Sequence, residues 1–294
     1  MTARLRRGLV LGAVAVVAVA MAACGRSIVA PPPSTSTTTA PPTTTTSAVP
    51  PPAALSVSMW GDSMAVEISR FLPQTLRQQR TTSITTRIYT FPGTSVCGYL
   101  ELGTIADDAR NYRPQVASLH FSGNHFLPCA TRAGKGLPES VYAQTNTDDL
   151  KTAIQIYLTQ DPTIEHVAVV LPPPSIPGPP GSSNEQLIAD YKAMVASLAD
   201  PRVSVAAGPA ASVSTPSGAF TWTLPCTALE IAGSVCLGAG SVNTVRSPTG
   251  HFCIPESCAG FQPGAWRFAN AEANDLLSPF GIQIITTLAS GYSS

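Results

Sequence analysis

The chain has 294 residues, 44% hydrophobic and 12% charged, with 17 basic and 17 acidic side chains. That balance excludes a nucleic-acid binder held by phosphate attraction, which would be basic. Removing Arg4, Arg6 and Arg7 with a leader leaves 14 basic against 17 acidic groups, so attraction to anionic lipid is excluded as well.

Three arginines followed by the apolar run Gly8 to Met21 and then Ala22-Ala23-Cys24 read as a secretion signal over residues 1–23. The run is shorter than the roughly 20 residues that span a bilayer, which favours cleavage over a permanent helix. Met21-Ala22-Ala23-Cys24 resembles the bacterial lipoprotein box, which implies lipidation of Cys24 and an exported, membrane-anchored product facing the cell wall or a periplasm-like space. Residues 31–52 hold eight prolines, eight threonines and three serines and no charge. Such a segment has too little apolar surface to offset the entropy of ordering, so residues 24–54 are expected to form an extended stalk.

Residues 55–294 suit one α/β domain. Short apolar runs at 55–60, 84–91, 116–121, 166–171 and 203–207 predict five buried strands, and 3.6-residue spacing predicts helices over 64–79, 139–158, 184–198 and 266–277. Alternation of the two predicts a three-layer α/β/α sandwich around a five-stranded parallel sheet, with ligands beyond the carboxyl ends of its strands. Six cysteines follow Cys24. Cys226 with Cys236 and Cys253 with Cys258 would close short loops, leaving Cys97 with Cys129; a zinc site of His251, Cys253 and Cys258 is the rival reading. Residues 211–245 read as a lid or a surface excursion. Trp60 reads as a pocket wall or a buried strand end.

Trp60-Gly61-Asp62-Ser63 joins the first strand to a helix, where a serine side chain stands clear and its own N–H is among the unpaired helix donors. Gly93 follows the second strand and Asn124 the third. Ser63, Gly93 and Asn124 therefore converge on one sheet edge as a nucleophile with an oxyanion hole made by the Ser63 and Gly93 amides and the Asn124 side chain. Of the four histidines, His120 reads as a packing residue inside a strand. His125 shares a loop with Asn124, and His166 starts a strand on the face away from the site. His251, on a late loop, can fold back over Ser63 as its base. No metal or organic cofactor is called for, and no phosphate loop or dinucleotide fingerprint is present.

Gly61-Asp62-Ser63, Gly93, Gly123-Asn124 and the late His251 resemble, in order, the four blocks of the SGNH/GDSL hydrolases. With flanking text such as Phe121-Ser122-Gly123-Asn124 and Gly264-Ala265-Trp266-Arg267-Phe268-Ala269, they are similar to exported actinobacterial members. The resemblance implies an esterase with Ser63 as nucleophile and His251 as base, acting on O-acyl esters of cell-envelope glycans or lipids. An O-acyltransferase is the related alternative. The family places Asp three residues before the histidine, where this chain has Pro248. Thr249 or a backbone carbonyl is then the expected orienter of the ring, and a weak or inactive glycan- or lipid-binding domain is the other outcome.

Overall fold

In a computed structural model, residues 51–79, 81–176, 184–247, 249–252 and 261–284 are described. All lie in the unit Ala48–Ser294. The leader, Cys24, most of the stalk, Pro248 and the Cys253–Cys258 pairing, with its zinc alternative, fall outside the described residues.

β1 (Ala54–Gly61) leads into α1 (Ser63–Ile68) and α2 (Leu72–Gln78), followed by β2 (Ser83–Thr90), α3 (Val96–Glu101) and α4 (Thr104–Asp107). Then come β3 (Val116–His120), α5 (Glu139–Gln160), β4 (His166–Val170), α6 (Asn184–Leu198) and β5 (Val203–Ala206). A short α7 (Gly208–Ser212), β6 (Thr223–Pro225), α8 (Ala228–Ala232), β7 (Val242–Thr244) and α9 (Pro263–Leu277) complete the order. The five predicted strands pair in parallel in the order β2-β1-β3-β4-β5.

One face of this sheet buries Val57, Met59, Val116, Ala168 and Val170 against α1, α2 and α9. The other buries Trp60, Leu119, Val167 and Val169 against α3 to α6. β4, buried along its whole length, is the near-continuous apolar run of a strand covered on both faces, whereas β1 and the edge strand β2 alternate apolar with polar residues. The result is the three-layer α/β/α sandwich. After β1 the chain places β2 on one side and β3 on the other, so the carboxyl ends of β1 and β3 flank the point where strand order reverses. Open parallel sheets bind ligands at that point.

Three expectations need correction. The helix expected over 64–79 is two helices, because Pro73 supplies no N–H and fits only a first turn, where α2 uses it. His166 lies on the α1/α9 side of the sheet, since Val116, its register partner, packs there; it is the opposite end of the strands that separates it from Ser63. Its Nε2 sits 3.3 Å from Ser204 Oγ. Residues 211–245 form an antiparallel β6–β7 pair with α8 rather than a loose flap. The Cys226–Cys236 disulfide closes this excursion, and Arg267 of α9 donates from Nε to Glu230 Oε1 of α8 at 2.8 Å. Trp60 is fully buried, stacks on Tyr89 and donates to the Tyr157 hydroxyl, so it packs the core.

Candidate active site

Gly61 makes the turn out of β1 feasible. A Cβ there would stand 2.2 Å from the Ala65 Cβ and 2.4 Å from the His120 carbonyl oxygen, so only glycine lets α1 start against the end of β3. Asp62 caps α1, accepting from Met64 N at 3.0 Å. Its other oxygen accepts from both the N–H and the hydroxyl of Ser122, each at 2.6 Å. One buried carboxylate thus fastens the β1 end to the β3 end. Burial pushes the Asp62 carboxyl up, and the hydrogen bonds from Ser122 and Met64 pull it back. Ser63 is the first residue of α1, where its N–H has no acceptor within the helix.

Asn124 donates from Nδ2 to the Thr94 carbonyl at 3.1 Å, which ties the loop after β3 to the loop after β2 and leaves one amide hydrogen. The Cys97–Cys129 disulfide reinforces the same join. Gly93 adopts φ +73°, a left-handed conformation that side chains disfavour. Ser63, Asn124 and His251 line one cleft of about 260 Å³, with Ser122, Thr249 and Arg246. Gly93 does not line it in this conformation.

The imidazole of His251 has a carboxylate partner. Glu67 Oε1 lies 2.6 Å from His251 Nδ1, and Glu67 Oε2 accepts from Phe252 N at 2.7 Å. An ionised carboxylate only accepts, so Nδ1 carries the proton and Nε2 presents its lone pair. The hydrogen bond His251 donates to Glu67 holds the imidazole above its usual value against the opposing effect of burial. Thr249, expected as orienter, instead bonds through Oγ1 to Ser247 Oγ at 2.8 Å. The place expected of Asp before the histidine is taken by Glu67 from α1. The sequence offered one signal for it: Glu67 is four residues after Ser63 in a helix, hence on the same helical face.

Arg246 was also overlooked. It is 3% exposed, donates to the Gly250 carbonyl through Nε and Nη2, and to the Pro174 carbonyl through Nη1 at 3.1 Å. Burial lowers it to about 10. It clamps the turn that carries His251, a turn also closed by Ser247 N donating to the His251 carbonyl at 2.6 Å. The remaining histidines stay out of the cleft. His120 is fully buried with its ring stacked 5.0 Å from Phe268. Burial lowers it to about 3, and neither ring nitrogen has a hydrogen-bond partner among the described residues. It is a packing residue whose polar atoms go unsatisfied. His125 stacks on Tyr142 at 4.6 Å.

No family profile and no curated protein matches the chain. Several solved structures are similar to it. A catalytic variant of an acetylxylan esterase from Geobacillus stearothermophilus covers 80% of this chain and 97% of its own at 10% identity and TM-score 0.48. A putative GDSL-like lipase from Parabacteroides merdae covers 78% and 96% at 13% identity and TM-score 0.45. The catalytic domain of peptidoglycan O-acetyltransferase A from Streptococcus pneumoniae covers 79% and 98% at 13% identity and TM-score 0.41.

Proposed function

We propose that the protein is a serine esterase of the SGNH/GDSL type, with Ser63 as nucleophile, His251 as base and Glu67 as the carboxylate that orients it. The observation that carries this reading is the Glu67–His251 contact beside a cleft that Ser63 also lines. His251 Nε2 takes the Ser63 hydroxyl proton as Oγ bonds to the ester carbonyl carbon. The Ser63 amide and the Asn124 side chain stabilise the oxyanion. As the C–O bond to the alcohol breaks, the imidazolium returns the proton to the leaving oxygen, and water attacks the acyl-serine by the reverse sequence. A sugar hydroxyl in place of that water would make the product a transferred ester.

The reading of a retired binding domain rested on a missing acid, and Glu67 supplies a carboxylate at the ring. We place the enzyme outside the cell, tethered through Cys24 and facing O-acylated envelope glycans or lipids, on the sequence of residues 1–54. Among the described residues no helix is long and apolar enough to cross a membrane. The test is hydrolysis of 4-nitrophenyl acetate by the purified protein. Activity is expected and should fall by at least about 10³-fold in Ser63→Ala; equal activity in the variant would refute the assignment.

A further inference from the structure

A second concavity, of about 500 Å³, adjoins the catalytic cleft, and Ser175 lines both. Its floor is apolar: Phe220, Ile188, Ala189 and Pro174. Its rim carries Glu185 and Lys192, both exposed. Neither forms an ion pair among the described residues.

The groove lies on the histidine side of the cleft. The Arg246 guanidinium sits 5.1 Å from the Phe220 ring centroid while bonding to the carbonyls of Pro174, a groove residue, and Gly250, the residue before His251. Arg246 therefore links the groove wall to the turn that carries the base. In ester cleavage the alcohol oxygen must face that base, because it receives the imidazolium proton. A group extending from the alcohol on the side of the base is then placed to enter the groove.

The chemistry of the walls selects the alcohol. An alkyl chain filling the groove would strip water from Glu185 and Lys192 without returning hydrogen bonds, at a cost for each charge. A sugar ring has an apolar C–H face for Phe220 and Ile188 and a rim of hydroxyls for the two charged groups and Ser175.

Resting on the esterase reading above, we infer that this groove is a carbohydrate subsite for the alcohol part of the ester, so that specificity is exerted through the glycan rather than the acyl group. The full-length protein is assayed on three acetyl esters: 4-nitrophenyl acetate, n-octyl acetate and an O-acetylated tetrasaccharide of N-acetylglucosamine. In Phe220→Ala, the ratio of kcat/KM for the tetrasaccharide to that for nitrophenyl acetate should fall about tenfold, chiefly through KM. Ala189→Trp, which adds bulk to the groove from α6, should lower the same ratio. An unchanged ratio in both variants, or an equal loss on octyl acetate, overturns the inference.

Binding separates this from the catalytic assignment. The unacetylated tetrasaccharide should titrate the Ser63→Ala protein, with affinity reduced in Ser63→Ala/Ala189→Trp. No binding overturns the subsite even where all three esters are hydrolysed; binding by a protein inactive on every ester upholds the subsite and refutes the esterase.

Discussion

In the proposed mechanism Glu67 is decisive, because it contacts the His251 ring and raises its pKa. A Glu67→Gln substitution keeps the size but removes the charge, and an amide can present either its oxygen or its NH₂ to the ring. Turnover should fall by about 10²- to 10⁴-fold, in line with the loss when a triad acid becomes its amide. The pH profile supplies the sharper test. His251 must be neutral to accept a proton, and Glu67 raises its pKa above the ordinary imidazole value. In Glu67→Gln the acidic limb of kcat/KM should therefore move to lower pH even as the plateau drops. A lower plateau with an unmoved limb would mean that Glu67 only shapes the loop. Thr249→Ala should change neither, since its hydroxyl is turned to Ser247.

The elements around the site are held by polar joints placed where apolar packing runs out. Glu230 sits at the third position of α8, where it completes a capping box with Thr227 and also receives Arg267 from α9. Burial pushes the Glu230 carboxyl up, but Arg267, the Thr227 N–H and Asn243 together outweigh it and hold the group below its ordinary value. Arg267→Met would leave that carboxylate buried and unpaired, a loss of about 3–5 kcal/mol by the usual cost of breaking a buried pair. Replacing both partners, as Glu230→Leu with Arg267→Met, should cost much less. Urea midpoints of the single and double variants check this, and equal losses would show that the join is not electrostatic. The same join explains why residues 211–245 are a fixed excursion. Its small-residue composition left a lid and a surface excursion equally open, and what ties it to the body is its partner on α9, in a distant part of the chain.

Across the whole molecule the parallel sheet buries titratable groups in its α9 layer, and these shape the stability profile. Glu272 of α9 is fully buried, accepts from Ser118 Oγ at 2.6 Å, and is pushed by burial to about 7. Its folded pKa is above the unfolded value of 4.5, so the folded state binds the extra proton between those values. The stability this gives is present at low pH and lost as pH rises through about 7. His120 acts in the opposite sense: lowered from 6.5 to about 3, it penalises folding as pH falls through that window. In Glu272→Gln the first effect is removed, so the stability difference between variant and wild type should grow in the variant's favour from pH 4.5 to 7 and then level off. Chemical denaturation across that range measures it, and a pH-independent difference would contradict the burial of an ionisable Glu272.

What could be read directly from the chain were features set by near neighbours. Runs of apolar residues marked five strands to within a residue or two, because a short apolar stretch bounded by turn residues is a pattern set by near neighbours. Gly61-Asp62-Ser63 announced a strand-to-helix turn, and the separation of 10 between Cys226 and Cys236 announced a short closed loop. The Pro73 break in the first helix was equally local but was masked by a periodicity that continues across it. The contact between Glu67 and His251 joins residues 184 apart, and no spacing rule links them. It exists because β1 and β3 are adjacent and α9 returns across α1, bringing the late loop onto the first helix. Side chains that meet only after the sheet has closed are invisible to periodicity, which registers neighbours along a helix or strand and nothing across the core.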